Sequence, residues 1–164
     1  MTILRAYTSN DALQVGRLIK DTYSQLNLSF LPARDQDPFL GPFQYASNPD
    51  PAQLEAIHGV IQSEIVILAE DTEKIVGVIR GRIGRLGSLF VHHDFHRQGI
   101  ASLLAEDFED QIRNQGGKSL KVASSMYAVP FYLKMGYKRS TGVREGWSFQ
   151  GRGLPIQPMK KILD

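Results

Sequence analysis

The run Phe90-Val91-His92-His93-Asp94-Phe95-His96-Arg97-Gln98-Gly99-Ile100-Ala101-Ser102-Leu103-Leu104 passes from an apolar stretch, through a short polar bend, into a strongly helical segment. That order sets several backbone N–H groups, a small-residue turn and the cation of Arg97 at a helix N-terminus. The first N–H groups of a helix lack intrahelical acceptors and the dipole there is positive, so such a place suits a phosphate-bearing ligand. Gly99 and Ala101 matter for their smallness, because a larger side chain at either position would keep a pyrophosphate off the backbone. By spacing alone, an ordinary strand-to-helix turn accounts for the run equally well.

A second block lies downstream, Ser124-Ser125-Met126-Tyr127-Ala128-Val129-Pro130-Phe131-Tyr132-Leu133-Lys134-Met135-Gly136-Tyr137. Together the two blocks resemble the GNAT superfamily of acyl-CoA-dependent N-acyltransferases. The first motif of that superfamily reads Arg/Gln-x-x-Gly-x-Gly/Ala, and His96-Arg97-Gln98-Gly99-Ile100-Ala101 matches it except at the first position. The later motif has a small residue or Asn, then Ala-x-x-Phe-Tyr-x-x-x-Gly-Phe/Tyr, a spacing kept by Ala128, Phe131, Tyr132, Gly136 and Tyr137. His96 is the departure: imidazole is shorter than arginine and mostly neutral at pH 7, and Arg97 beside it can supply the cation instead.

Hydrophobic periodicity predicts the elements around these blocks. Ile3–Thr8 reads as a strand, and Ser9 caps an amphipathic helix over Asp11–Tyr23 that carries Val15, Leu18, Ile19 and Thr22 on one face. From Ser24 to Pro51 prolines break the pattern, yet Phe30, Phe39, Phe43 and Tyr45 argue for a loop that is functional or docked on the body. Helical spacing resumes over Ala52–Gln62. Strands over Glu64–Glu70 and Ile75–Ile83 form a hairpin through Asp71–Lys74. Gly84–Gly87 reads as a turn and Ser88–Val91 as the strand entering the first block. The major helix spans Ile100–Gln115, with Leu104, Phe108 and Ile112 on one face and Gly116-Gly117 ending it. Then come a strand over Ser119–Ala123, a short helix from Pro130 to Gly136, and two late strands, Tyr137–Ser140 and Pro155–Leu163, around a Gly-rich excursion. The fold class is α/β, an α+β mixed sheet in one domain over residues 1–164. The resemblance implies the GNAT acyl-CoA N-acyltransferase fold: a central mixed sheet flanked by helices, with splayed fourth and fifth strands that leave a slot for the pantetheine arm. Ser88–Val91 then supplies the fourth strand and Leu120–Ser124 the fifth.

Composition narrows the classes. The 164 residues hold 42% hydrophobic and 22% charged residues, the profile of a soluble globular domain with a sizeable core. No apolar run approaches the roughly 20 residues that span a bilayer. Met1-Thr2-Ile3-Leu4-Arg5 shows no signal pattern, so no membrane partner and a cytoplasmic location are expected. Without cysteine there is no disulfide, thiolate metal site or cysteine nucleophile. Nineteen basic residues against 17 acidic ones, with no clustered basic stripe among aromatics, argue against nucleic acid.

Amide formation from a thioester requires that the CoA diphosphate be held, the carbonyl polarised, the amine deprotonated and the thiolate protonated. On the resemblance, acetyl-CoA is the cosubstrate. The backbone from Arg97 through Ser102 (Arg97, Gln98, Gly99, Ile100, Ala101, Ser102), with His96 at the first motif position, holds its diphosphate. Leu89, Phe90 and Val91 pair with the pantetheine arm and polarise the carbonyl. Tyr132, the Tyr of the Phe-Tyr pair, is the candidate general acid, since a phenol with pKa near ~10 is protonated at neutral pH. A plain core aromatic is the competing reading. The general base is not readable: the fourth strand offers Ser88 and no acid, and His92 and His93 are either proton relays or solvated loop residues. His92, His93, His96 and Asp94 on one bend offer ligand types for a metal, but no cysteine assists and no metal is expected. Arg80 and Arg82 face an anionic ligand or form a solvated sheet edge. The loop around Trp147 closes over the acceptor, pairs with a second subunit or packs on the body.

The expected activity is N-acetylation of a primary amine by direct attack in a ternary complex. The alternative is a non-catalytic acyl-CoA-binding sensor or regulatory module. A doubly wound dinucleotide binder fails because the strand before the motif follows a hairpin and the glycine pattern is incomplete. The aromatics of Ser24–Pro51 favour a small-molecule, partly apolar amine acceptor. A homodimer is left open, since the family includes many dimers.

Overall fold

Thr72 and Glu73 both adopt left-handed backbone angles (φ 49° and 65°), the two-residue geometry that matches the twist of a tight hairpin. In the computed structural model, which describes residues 1–164, this turn joins β2 (Ile65–Asp71) to β3 (Lys74–Arg82). β1 (Thr2–Ala6) pairs antiparallel with β2, and β4 (Gly84–Val91) pairs antiparallel with β3. β5 (Ser119–Ser125) lies parallel to β4, and the long β8 (Gly151–Ile162) runs antiparallel to β5. The far edge of β8 is shared by β6 (Lys138–Arg139) and β7 (Arg144–Ser148). The result is one mixed sheet in the order β1-β2-β3-β4-β5-β8-β6, with β7 also on β8.

Helices cover both faces. On one lie α4 (Ile100–Asn114) and α5 (Val129–Lys134), whose Leu104, Phe108, Ile112 and Tyr132 pack on Ile67, Ile79, Leu86, Leu120 and Met159. On the other lie α1 (Ala12–Thr22) and α3 (Pro51–Ile61), with Val15, Ile19 and Ile57 against Leu68, Val78 and Phe90. α3 starts one residue before the Ala52 at which helical spacing resumes. Pro51 occupies its first position, and the Asp50 carboxylate accepts from the Gln53 N–H at 2.7 Å. α1 starts differently from expectation: Ser9 lies in a 3₁₀ turn, and Asp11 accepts from the Thr8 N–H at 2.9 Å while pairing with Arg5.

The decisive relationship is between β4 and β5. Only Gly84↔Leu120 and Arg85↔Lys121 are in register; beyond them the strands part, as the resemblance implies. β4 itself begins at Gly84 rather than Ser88. A bulge at Arg80/Gly81 lets the strand start early, and Gly81 is required there because a Cβ would lie 2.4 Å from the Arg85 carbonyl oxygen. The Gly-rich excursion is also strand: β7 and the first half of β8 form a hairpin through Phe149 at φ 55°. Of the aromatics of Ser24–Pro51, Phe39 and Phe43 are buried under α1 and α3, whereas Phe30 and Tyr45 are exposed. They sit in short turns and in α2 (Asp37–Leu40).

Strand register also gathers cations that are spread along the chain. Arg82 stands opposite Arg85, Arg85 beside Lys121, Lys121 opposite Lys160, and Lys160 opposite Lys138. Five exposed cations thus form one row across five neighbouring strands, about 4.8 Å apart per strand, and none of them is in an ion pair.

Candidate active site

The loop from β4 to α4 leaves a run of backbone donors free. Arg97 and Gly99 take left-handed angles (φ 63° and 78°), which turn the chain into a concave bend before the helix. The N–H groups of Arg97, Gln98, Gly99, Ile100, Ala101 and Ser102 find no backbone acceptor, and no side chain caps the helix. Nothing lies within 4 Å of where a Gly99 Cβ would be, so the space beside the bend is open. A left-handed non-glycine residue such as Arg97 costs of order 1 kcal/mol and persists only where its surroundings impose it.

These donors border a cavity of about 440 Å³ between the splayed strands. Leu89, Phe90, Val91, His96, Arg97, Gly99, Ile100, Ala101, Ser102 and Tyr132 all line it. Gln98 does not: its side chain reaches back toward the Asp94 carbonyl oxygen at 3.4 Å. The β4 edge facing the cavity follows from ladder alternation. The His92 N–H donates to Val76, so Phe90 and Ser88 exchange bonds with β3 while Leu89 and Val91 turn theirs to the open side. The Val91 oxygen there is taken by His96 Nε2 at 2.7 Å, which leaves the Leu89 and Val91 N–H groups and the Leu89 carbonyl.

A second cavity, of about 350 Å³, lies on the α1/α3 side of the same gap. Leu89, Phe90, Ser125, Ala128, Tyr132 and Asn27 belong to both. Tyr132 therefore stands at the junction. Pro130 opens its short helix, and its ring packs edge-on against Phe131 at 5.2 Å and Tyr137 at 5.3 Å. Burial pushes its phenol well above the ordinary value near 10, so it carries its proton at neutral pH. The far wall is β7, tied to α1 by the Tyr23 hydroxyl, which donates to Ser148 Oγ at 2.6 Å; Ser148 in turn donates to the Phe39 oxygen at 2.7 Å. Trp147, 67% exposed, forms the rim with Arg152 stacked 5.1 Å from its ring.

Other candidates lie elsewhere. His92 and His93 line neither cavity. With Asp94 they bring ligand atoms within 4.8 Å of one another, but His92 Nδ1 already accepts from the Asp94 N–H, and His96 faces Val91. Arg80 is neither a solvated edge nor a cavity residue, because its Nε donates to the Ile61 oxygen at the C-terminus of α3 at 3.0 Å. Residues that the sequence did not single out are Asn27, Tyr23, Arg85 and Arg144, all lining the second cavity. Arg85 and Arg144 carry no motif and reach the same cavity from different strands, β4 and β7. No Asp or Glu lines either cavity.

Known proteins share the fold of this chain. Residues 43–163 match the family model described as an acetyltransferase (GNAT) domain. A GCN5-related N-acetyltransferase structure from Rhodopseudomonas palustris is 21% identical, with 99% of this chain and 96% of that one covered at a TM-score of 0.79. The PaiA N-acetyltransferase of Thermoplasma acidophilum, in complex with coenzyme A, is 12% identical with 99% of each chain covered and a TM-score of 0.74. An aminoglycoside 6′-N-acetyltransferase complexed with coenzyme A is 17% identical, with 98% and 96% covered and a TM-score of 0.64. At such identities these structures establish the fold. No curated protein matches the chain in sequence.

Proposed function

Because the chain belongs to the GNAT acetyltransferase family, we propose that residues 1–164 act as one cytoplasmic N-acetyltransferase domain that moves an acetyl group from acetyl-CoA to the primary amine of a small molecule. Acyl transfer from an acyl-CoA to an amine is the chemistry of that family. The observation that carries the finer reading is the meeting of two cavities at Tyr132, one bordered by the free N–H groups of Arg97–Ser102 and the other open on the opposite face.

The free N–H groups and the α4 dipole suit the diphosphate. The open Leu89 and Val91 groups suit the amides of the pantetheine arm, and an N–H of that edge suits the thioester oxygen. Acetyl-CoA supplies the activated acyl group. The amine enters from the second cavity, its nitrogen forms the bond to the acyl carbon, and the carbon–sulfur bond breaks. The amine proton leaves to water, and the Tyr132 hydroxyl protonates the departing sulfur. No covalent enzyme intermediate is involved. A thermal shift with acetyl-CoA, CoA and NAD tests the site. Native-state binding at a hundredfold excess over Kd raises stability by about 2.7 kcal/mol, expected with acetyl-CoA and not with NAD. Thiol release with an amine panel then tests the transfer.

One observation favours a second reading, a non-catalytic acyl-CoA-binding sensor or regulatory module: neither cavity holds a carboxylate to act as base. Tight acetyl-CoA binding with no thiol release for any amine would select it.

A further inference from the structure

The second cavity has a one-sided charge. Among its 20 lining residues are two arginines, Arg85 on β4 and Arg144 on β7, and no acid. Neither arginine is in an ion pair, although both are long, exposed side chains with acidic residues elsewhere on the same small protein. Arg85 is also a member of the five-cation row, in which Lys121, Lys160 and Lys138 follow it directly across β5, β8 and β6 on the same face. Like charges placed opposite one another on adjacent strands repel, so this row is a standing cost to the fold with no acidic side chain to offset it. Its field converges on the cavity through Arg85 and draws anions there.

Resting on the acyltransfer reading of this site, we propose that the acceptor amine belongs to an anionic molecule, one bearing a carboxylate or phosphate, and that Arg85 and Arg144 bind that group. Arg85 stands four residues before Leu89 on β4, about 13 Å of strand, while register through Ser125 and Ile156 sets Arg144 level with Leu89 but three strands away, at least about 14 Å, and neither side chain spans its distance in full. The anionic group and the reacting nitrogen therefore sit at opposite ends of an extended acceptor. A polycationic acceptor meets the reverse situation, because its second ammonium would lie among cations with no carboxylate to receive it.

The test uses three amines of nearly equal length that differ at the far end: δ-aminovalerate (anionic), n-pentylamine (neutral) and cadaverine (cationic). Thiol release from acetyl-CoA is expected to give a kcat/KM for δ-aminovalerate at least about tenfold above pentylamine, the worth of one charge-assisted hydrogen bond, with cadaverine lowest. O-phosphoethanolamine and a free-amine Asp-Asp-Glu tripeptide distinguish a small acceptor from an acidic peptide. Calorimetry of δ-aminovalerate against the CoA-loaded protein reads binding without turnover. The Arg85→Glu/Arg144→Glu double variant is expected to invert the order in favour of cadaverine, a gain that misfolding cannot produce. Pentylamine or cadaverine acetylated as well as δ-aminovalerate overturns the anionic preference and leaves the acyltransferase reading standing. Binding of δ-aminovalerate that the double variant abolishes, with no amine acetylated, supports the anionic site and removes the catalytic reading. Absence of both binding and turnover overturns both.

Discussion

The imidazole of His96 donates from Nε2 to the main-chain oxygen of Val91 at 2.7 Å and closes the β4–α4 loop onto the strand it leaves. The residue that departs from the family motif is thus engaged within the protein, and Nδ1 is left facing the Tyr127 hydroxyl at 3.5 Å. This bond holds the bend that carries the free N–H groups. His96→Ala is expected to preserve the fold and weaken acetyl-CoA binding about fivefold, the worth of one ordinary hydrogen bond. Unchanged affinity by calorimetry would mean that the bend is held without it.

Tyr132→Phe removes one oxygen at the junction of the cavities while keeping the ring edge-on against Phe131 and Tyr137. If the phenol protonates the leaving sulfur, kcat falls about a hundredfold or more while acetyl-CoA affinity is kept. Steady-state and binding measurements on the same preparation separate the two, and an unaltered kcat would assign Tyr132 to the core alone.

Asp11 links stability to pH. Its hydrogen bonds from Arg5, and secondarily from Thr8, hold its carboxyl below the ordinary value of 3.8 against an opposing effect of burial. A depressed folded value means that the stabilisation is full above the unfolded value and is lost as pH falls through the folded one. Asp11→Asn is expected to cost about 2 kcal/mol at pH 7, with the difference shrinking as pH falls below the ordinary value of 3.8. Urea titrations of both proteins at several pH values check the sign; a constant difference would place the effect in packing.

Lys161 reaches down from β8 to Glu109 of α4 at 2.7 Å, where the carboxylate is 3% exposed and its second oxygen has no partner. Lys161→Met removes that charge-assisted hydrogen bond and leaves the carboxylate only the longer contact of Arg113, 3.6 Å away, a loss of about 1.5–3 kcal/mol. Adding Glu109→Leu is expected to restore most of the loss. Equal instability of the single and double variants in thermal unfolding would show that packing, not charge, is at stake.

The cation row gives a prediction of opposite sign. Lys160→Glu sets a carboxylate between Lys121 and Lys138 and is expected to raise stability by about 0.5–1 kcal/mol at low salt, with a smaller gain as salt screens the charges. A variant less stable than the parent at every salt concentration would contradict the repulsion inferred from register.

What was readable in sequence is what local chemistry dictates. The Gly99–Ala101 turn, the Phe131-Tyr132 pair and the Asp71–Lys74 hairpin each lie within a few residues, and the two motifs sufficed to indicate the family and the splayed sheet. The first half of β4 was hidden because Gly84 and Gly87 read as turn residues, while the bulge at Gly81 that makes them strand is set by packing against Phe108. The β7–β8 hairpin was hidden in the same way by Gly146, Gly151 and Gly153. The cations of the second cavity and of the strand row were illegible for another reason: Arg85 and Arg144 are far apart in the chain, and so are Lys121 and Lys160. Near-equal totals of acid and base conceal a segregation that only strand pairing creates.

β5 has seven register pairs with β8 and two with β4, so one wall of both cavities leans almost wholly on residues Ile156–Ile162. During synthesis those residues leave the ribosomal tunnel after β1 to β7. Until they emerge, β5 has no neighbour along most of its length, and the nascent chain cannot hold its cosubstrate however early β1 to β4 fold. Acyl-CoA binding would then report that the late strand has docked, and a nascent chain stalled before Ile156 would be idle rather than partly active.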